Sequence, residues 1–251
     1  MLYHYTSMDR AYQIIKSESL RFSKFNRLND INERWRMVYC NPDSNLNLII
    51  NELANYRQLS LCIDGNRPGY AIPAMWGHYG DCGQGACLLF NKKVLLDKLS
   101  DDAHHDNVIY SGEYYQDAHF SIIYDRTTNI KEFFNRKIKD IFFKKTGDWS
   151  YEQEYRIVCR AENKDENCYL PIKDALLAII IFMPNDISEK QSAFNSDKVK
   201  TIKQLIPDTP ILEMGKFLED FSLRDSDGNT FVTKNHKLVK AAEQDVPNID
   251  T

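Results

Sequence analysis

The chain has 251 residues, a formal net charge of −4 at pH 7, 43% hydrophobic residues and 12% aromatic residues. This apolar content excludes a disordered chain, and the acidic balance excludes a globally basic nucleic-acid-binding protein. The N-terminus lacks a basic leader followed by an apolar stretch, and the longest apolar run, 176–183, is too short to span a bilayer. We therefore expect a cytoplasmic globular protein that has no membrane partner.

The first hundred residues predict short strands that alternate with helices. Thr6 and Ser7 are good N-cap residues after an opening strand, and Asp9 suits the first turn of the helix that follows. Residues 64–85 are rich in glycine and irregular, as is typical of loops that carry binding sites. The predicted strands are 2–5, 20–23, 59–63 and 86–90, and further helices are predicted over 45–57 and 92–99.

The remainder of the chain predicts a mostly buried sheet. The apolar run 176–183 favours a strand that is covered on both faces. Other predicted strands are 108–110 in the same sheet, a central strand at 157–159, 210–214 and one or two within 217–232, with helices over 130–145 and 187–206. We predict a single α+β domain over residues 1–239, with a mixed, split β-sheet flanked by helices, and a flexible tail over 240–251.

Three charged residues stand at alternate positions in the stretch that runs into the predicted central strand: Glu152, Glu154 and Arg156. A strand has a side-chain period of two, so we expect all three on one face. Charges are costly to bury unless they are paired. That face is therefore either exposed to solvent, with a ladder of salt bridges, or it lines a polar cleft. Rows of charge are usually exposed, which favours the first alternative.

Four motifs occur in a fixed order along the chain. They are Leu2-Tyr3-His4-Tyr5-Thr6-Ser7, Asn29-Asp30 with Glu33, Met75-Trp76-Gly77-His78-Tyr79 with Gly85 and Phe90, and Trp149-x-x-Glu152-x-Glu154-x-Arg156. Together, from residue 2 to about residue 223, they resemble the bacterial domain-of-unknown-function family twenty-nine seventy-one. A histidine on the first strand and a late Glu-x-Glu also give a more remote resemblance to ADP-ribosyltransferases.

The remote resemblance implies an ADP-ribosyltransferase-like fold and an enzyme that uses NAD as a substrate. It implies Glu154 as the catalytic carboxylate, supported by Glu152 and His4, and Tyr79 as the middle aromatic residue, for which Tyr70 or Tyr5 are alternatives. The NAD-binding residues that it implies are His4, Tyr5, Thr6, Trp76, Tyr79 and Arg156. It also implies a nucleic-acid or protein acceptor, an antitoxin or regulatory partner, and a role as a bacterial toxin or phage-defence effector.

The chemistry of NAD cleavage suits these residue types. Breaking the nicotinamide–ribose bond builds positive charge on the sugar, which a neighbouring carboxylate stabilises. His4 is suited to hydrogen-bond a ribose hydroxyl, and Tyr79 or Trp76 to stack on the nicotinamide ring. The reaction needs no metal, and the sequence has no Gly-x-Gly-x-x-Gly after a strand, which argues against a Rossmann dehydrogenase.

Each candidate residue also has a structural interpretation. His4 on a half-buried strand is more often a core histidine, and Trp76 and Tyr79 are suited to fill the core under a loop. Glu152 and Arg156 are placed to form a structural ion pair, which would leave Glu154 alone for chemistry. His78, Cys82 and Cys87 lie close in sequence, but their spacing matches no common zinc module, so we expect no metal.

Two further charged segments are more simply explained by exposure to solvent. The helix over 130–145 carries six basic residues, which would suit contact with a nucleic-acid backbone, but a solvated helix face is favoured. His104 and His105, beside two aspartates, predict a solvated loop.

Three functions from different classes remain open. The favoured one is an ADP-ribosyltransferase-like enzyme with a macromolecular acceptor. The second is an NAD glycohydrolase, which uses water as the acceptor at the same site. The third is a non-catalytic module that senses a nucleotide or binds a partner protein.

Overall fold

The computed structural model describes residues 1–25, 46–111, 129–182, 196–214, 222–234 and 237–241. The helices are α1 (Met8–Ser17), α2 (Leu46–Leu53), α3 (Pro73–His78), α4 (Lys92–Leu96), α5 (Ile130–Phe142) and α6 (Asp197–Leu205), with 3₁₀ helices at Asp81–Gly83 and Gly147–Glu152. The strands are β1 (Leu2–Thr6), β2 (Ser19–Arg21), β3 (Ser23–Lys24), β4 (Tyr56–Cys62), β5 (Ala86–Phe90), β6 (His104–Asn107), β7 (Ile109–Ser111), β8 (Lys144–Thr146), β9 (Glu154–Arg160), β10 (Tyr169–Pro171), β11 (Leu176–Phe182), β12 (Ile211–Met214), β13 (Leu223–Arg224), β14 (Thr230–Lys234) and β15 (Lys237–Lys240).

The chain divides into two compact units. Unit 1 comprises Met1–Ser19, Leu61–Lys98 and Pro171–Thr251, and unit 2 comprises Leu20–Ser60 and Leu99–Leu170. The single-domain organisation over 1–239 stays a prediction. None of the helices in the described residues is long and apolar enough to cross a membrane.

Unit 1 is built on a mixed sheet in the strand order β15-β14-β13-β12-β11-β5-β1. Strands β11 and β12 are parallel, whereas β1 and β5 are antiparallel. All five residues of β5 are buried, which explains its continuous apolar sequence. Helices α1 and α6 pack against each other, and α1 also contacts β5. The predicted mixed sheet with flanking helices is confirmed.

Helix α1 begins at the predicted cap. Ser7 is extended, with φ −68° and ψ 157°, and its hydroxyl accepts a hydrogen bond from the Arg10 N–H at 3.4 Å. Met8, Ala11 and Ile15 form the buried face of the helix. The cap and the apolar spacing therefore fix both the start and the orientation of α1.

Unit 2 contains strands in the order β4-β9-β6, with β3 paired to β4. Helices α2 and α5 pack over an aromatic core. The Tyr56 ring lies 5.3 Å from the Phe134 ring and 4.8 Å from the Phe142 ring, measured between centroids. Val158 on β9 belongs to the same core, so one face of β4 and β9 is apolar at this end.

Two predicted helices in unit 2 end earlier than expected. The helix predicted to reach residue 57 ends at Leu53, because the following residues pair as strand β4 with β3. The helix predicted to reach residue 145 ends at Phe142, because Lys144–Thr146 pair with Ile109–Ser111. Strand pairing thus outweighs the continuing helical pattern in both places.

Two predictions about strands are also wrong. Residues 109–111 form a two-stranded parallel sheet with β8 and do not belong to the main sheet. His104 and His105 are exposed but lie on strand β6, paired with β9, and not in a loop. Asn29, Asp30 and Glu33, residues 183–195 and residues 242–251 lie outside the described residues.

The basic residues of α5 are exposed, as the solvated-face interpretation expects, whereas Lys145, which the predicted helix also included, is buried on β8. Lys137 and Lys144 pair with Asp140 at 3.4 and 2.8 Å, and Lys139 pairs with Asp106 at 2.8 Å. Much of this positive charge is therefore balanced by neighbouring carboxylates.

Gly85 precedes β5 at a point where the backbone is crowded. A Cβ atom there would lie 2.2 Å from the Thr6 carbonyl oxygen and 2.8 Å from that of Gly80. Because both are backbone atoms, we expect Gly85→Ala to lower the free energy of unfolding by about 1–3 kcal/mol.

The matched control for this substitution is Gly77→Ala. Around Gly77 no described atom lies within 4 Å of an added Cβ, so we expect unchanged or slightly higher stability in a helix. Denaturant unfolding of both variants measures the difference, and equal stability would contradict the crowding at Gly85.

Candidate functional site

The charged motif of unit 2 begins in a 3₁₀ helix and continues into a strand. Glu152 is the last residue of the 3₁₀ helix, and β9 begins at Glu154. Between them, Gln153 adopts the left-handed conformation, with φ 45° and ψ 49°. The prediction that both carboxylates lie on one strand is therefore wrong. The left-handed residue redirects the chain so that the two side chains converge.

Four charged side chains meet at this point, and we call Lys145, Glu152, Glu154 and Arg156 the ionic cluster. The Lys145 ammonium lies 2.5 Å from Glu152 Oε2 and 3.4 Å from Glu154 Oε2. Arg156 donates from Nε to Glu154 Oε1 at 2.7 Å and from Nη2 to Oε2 at 2.9 Å. Two carboxylates thus share one ammonium, and one of them also holds a guanidinium in bidentate geometry.

The ionic cluster is buried. Its four residues are between 1% and 5% exposed. The prediction that the charged row faces solvent is therefore wrong. Burial is tolerated because the two positive and two negative charges balance and lie within hydrogen-bond distance of each other.

The electrostatics of the cluster keep Glu154 ionised. Burial by itself would raise the pKa of this carboxyl group, but the charges of Arg156 and Lys145 outweigh that effect. Hydrogen bonds from the Arg156 and Ser60 side chains act in the same direction, and the pKa falls to about 2. Glu154 is consequently a carboxylate at neutral pH.

Neighbouring residues fix the cluster in place. The Lys145 ammonium lies 4.7 Å from the centroid of the Trp149 ring, a cation–π contact. Arg156 Nη1 donates to the carbonyl oxygen of Phe142 at the end of α5. The Glu154 N–H donates to the Tyr110 hydroxyl at 2.9 Å. The Lys145 and Arg156 side chains and the Glu154 backbone are thus each held by a contact from another part of unit 2.

The other predicted site residues lie in unit 1. His4 is partly exposed on β1, opposite Leu88 of β5. Thr6 is buried at the end of the same strand. Tyr79 is partly exposed beside His78, with 6.4 Å between the ring centroids. His4 and Tyr79 are thus the members of this group that retain accessible surface.

Two predicted aromatic residues of unit 1 are part of its core. The Tyr5 and Trp76 rings meet edge to face, with 5.1 Å between centroids, and Trp76 also packs on Phe182 at 5.8 Å. The Tyr5 hydroxyl donates to the Gly69 carbonyl at 2.8 Å, and Trp76 Nε1 donates to the Tyr70 carbonyl at 2.8 Å. This placement favours the core interpretation of Trp76 and leaves Tyr79 as the candidate for stacking.

The structure therefore brings together the predicted residues within each unit. Glu152, Glu154 and Arg156 form one group in unit 2, and Tyr5 and Trp76 are in contact in unit 1. The sequence did not predict Lys145 as a site residue, because the helical pattern over 130–145 places it at the end of a helix. Its sequence signal is weak: a lysine next to a turn-like Thr-Gly-Asp, seven residues before a glutamate.

The residues considered for zinc binding are differently exposed: His78 and Cys82 are exposed, and Cys87 is fully buried in β5. Across the described ranges, no group of three or more histidine, cysteine or acidic residues is placed to hold a metal ion.

Comparison with known proteins adds one finding. Residues 75–157 match the model of a family described as "Protein of unknown function (DUF2971)". The matched segment contains all four residues of the ionic cluster, and it supports the resemblance to that family. Neither the curated proteins nor the solved structures gave a match.

Because Glu152 and Glu154 share the Lys145 ammonium, we expect Lys145→Met to lower the free energy of unfolding strongly. This change leaves two buried carboxylates without the ammonium that lies between them, and we expect it to cost about 3–5 kcal/mol. Adding Glu152→Gln to the same chain removes one of the two charges, so the double variant should regain part of the loss.

Lys139→Met is the matched control, because it removes an ammonium 2.8 Å from Asp106 on the surface, where the Lys139 side chain is 71% exposed. We expect this change to cost less than about 1 kcal/mol. Equal losses for the two methionine variants in denaturant unfolding would show that the cluster does not depend on Lys145.

Proposed function

We propose that the protein is an ADP-ribosyltransferase-like enzyme that cleaves NAD at the nicotinamide–ribose bond and transfers ADP-ribose to a macromolecule. The observation that carries the proposal is the convergence of Glu152 and Glu154 on one cationic position, which Lys145 occupies. The substrate is inferred from the remote resemblance to ADP-ribosyltransferases, which His4 and the Glu152-x-Glu154 pair carry, since those enzymes use NAD.

The convergence matters because the reaction builds a cation. As the bond to nicotinamide breaks, positive charge spreads over the ribose C1′ and ring oxygen. Two carboxylates aimed at one point stabilise a positive charge there, and they do so most strongly where water is excluded. Glu154 is ionised at neutral pH, so it needs no proton transfer before it acts.

The proposed reaction requires the Lys145 ammonium to leave its position between the carboxylates. In the described structure the ammonium pairs with the two carboxylates that would otherwise stabilise the sugar cation. The substrate or an acceptor would displace it, and Trp149 provides an aromatic face beside which the ammonium already lies. In this proposal His4 hydrogen-bonds a ribose hydroxyl and Tyr79 stacks on nicotinamide; these roles rest on the resemblance alone.

A second candidate is a non-catalytic module that binds a nucleotide or a partner protein. The observation in its favour is the same burial: Glu154 is 3% exposed and already holds a guanidinium in bidentate geometry. Such a pair stabilises a fold without any substrate. The two candidates differ in turnover, so one assay separates them.

The assay measures nicotinamide release from NAD by the purified protein, alone and with bacterial RNA, DNA or lysate protein. We expect release that depends on one of these acceptors. Glu154→Gln should reduce it about 100-fold or more, because removing a group that stabilises transition-state charge typically costs that much. Circular dichroism and thermal unfolding establish whether the variant is folded.

Asp106→Asn is the matched control, because Asp106 is a half-exposed carboxylate paired with Lys139. We expect its release rate to stay within about twofold of wild type. Release without any acceptor would instead establish a glycohydrolase. NAD binding without release would establish the non-catalytic module, and an unchanged rate in folded Glu154→Gln would contradict the role of this carboxylate.

A further inference from the structure

Gln58 is a buried polar residue that the ionic cluster does not account for. It lies on β4 and is 3% exposed, and its Oε1 has no hydrogen-bond partner in the described parts of the chain. A buried amide oxygen without a donor lowers stability, so such groups are rare unless a bound molecule or water satisfies them. The position therefore suits a donor group that the described residues do not supply.

The hydrogen bonds around Gln58 fix which of its atoms lacks a partner. Gln58 Nε2 lies 3.4 Å from Ser60 Oγ. The Ser60 side chain is also hydrogen-bonded to the Glu154 carboxylate, which accepts only. The single Ser60 hydroxyl proton is thus given to Glu154, so Ser60 Oγ accepts from Gln58 Nε2. Gln58 Oε1 remains the unpaired atom, and it is an acceptor.

The placement of Gln58 links it to the same carboxylate and to solvent. Gln58 and Ser60 are two residues apart on β4, so they lie on one face of the strand. Ser60 is exposed, which leaves this end of the face accessible from outside. Gln58, Ser60 and Glu154 form a continuous hydrogen-bonded series from an unfilled acceptor to the ionised carboxylate.

We propose that Gln58 is a ligand-binding residue whose Oε1 accepts a hydrogen bond from a neutral donor group, a hydroxyl or a primary carboxamide, of a molecule bound at this face. An acceptor selects a donor, so it does not recognise a phosphate, and the balanced charge of the adjacent ionic cluster gives no attraction for an anion. NAD carries both donor types, ribose hydroxyls and the nicotinamide carboxamide. For the identity of the ligand, this inference rests on the proposed function.

The distinguishing prediction concerns Gln58→Met, which keeps the side-chain length and removes the unpaired acceptor. If the residue is kept for binding, the variant should unfold at a higher temperature than wild type while its affinity for NAD falls at least tenfold. A purely structural glutamine predicts the opposite change in stability. Gln204→Met, on the exposed surface of α6, is the matched control and should change neither quantity.

Titration with NAD, ADP-ribose, D-ribose and nicotinamide, followed by NMR, identifies the donor group. A loss of affinity for ADP-ribose and ribose in Gln58→Met assigns a hydroxyl, and a loss for nicotinamide assigns the carboxamide. The inference is overturned if Gln58→Met lowers the melting temperature or fails to fold. It is also overturned if wild type binds none of the four probes or if the variant binds them all as wild type does.

The Gln58→Met results can be distinguished from a failure of the proposed function. If wild type binds NAD without releasing nicotinamide, and Gln58→Met still weakens binding and raises the melting temperature, the ligand site stands and the enzymatic proposal fails.

Discussion

The structure of unit 2 depends on one ammonium group placed between two buried carboxylates. Burying Glu152 and Glu154 side by side would be prohibitive without compensation, and Lys145 and Arg156 supply it within hydrogen-bond distance. The local backbone follows from this constraint. Helix α5 stops at Phe142, whose carbonyl accepts from Arg156, and the next residues become a strand that carries Lys145 inward.

The same arrangement connects stability to the proposed chemistry. A buried ion pair stabilises a fold little more than apolar residues of the same volume would, so its presence calls for another reason. Two carboxyl groups aimed at one point, one of them the ionised Glu154, offer such a reason, because a developing sugar cation can take the place of the ammonium. Gln58 is a second buried polar group of this kind, since its side-chain oxygen has no partner among the described residues and suits a bound donor.

Local patterns in the sequence predicted the parts of the fold that local interactions determine. The Ser7 cap, the apolar spacing of α1 and α5, and the buried runs that became β5 and β11 are examples. Within the site, the sequence identified both glutamates and Arg156 but assigned them to one strand and to solvent. The alternation of side chains along a strand does not reveal that the backbone of Gln153 adopts a left-handed conformation.

The role of Lys145 in the ionic cluster could not be predicted from local sequence, for a related reason. The helical pattern from residue 130 continued past Phe142, and only pairing with Ile109–Ser111, more than thirty residues away in sequence, turns Lys145 inward. Trp76 had two interpretations from sequence, a ligand contact or a core residue, and only the packing of its ring against Tyr5 and Phe182 favours the second. Long-range contacts of this kind leave no local periodicity to detect.

The central claim is that Glu154 is buried, ionised and held by two cations, and its titration tests this most directly. With ¹³C at the glutamate side-chain carboxyl carbons, NMR should show Glu154 ionised throughout the folded range, with a pKa near 2 against the ordinary value of 4.5. Because the folded-state pKa is lowered, the associated stability is present above pH 4.5 and is lost as the pH falls toward 2. A Glu154 titration midpoint near 4.5 in the folded protein would contradict the ionic cluster and the proposals that depend on it.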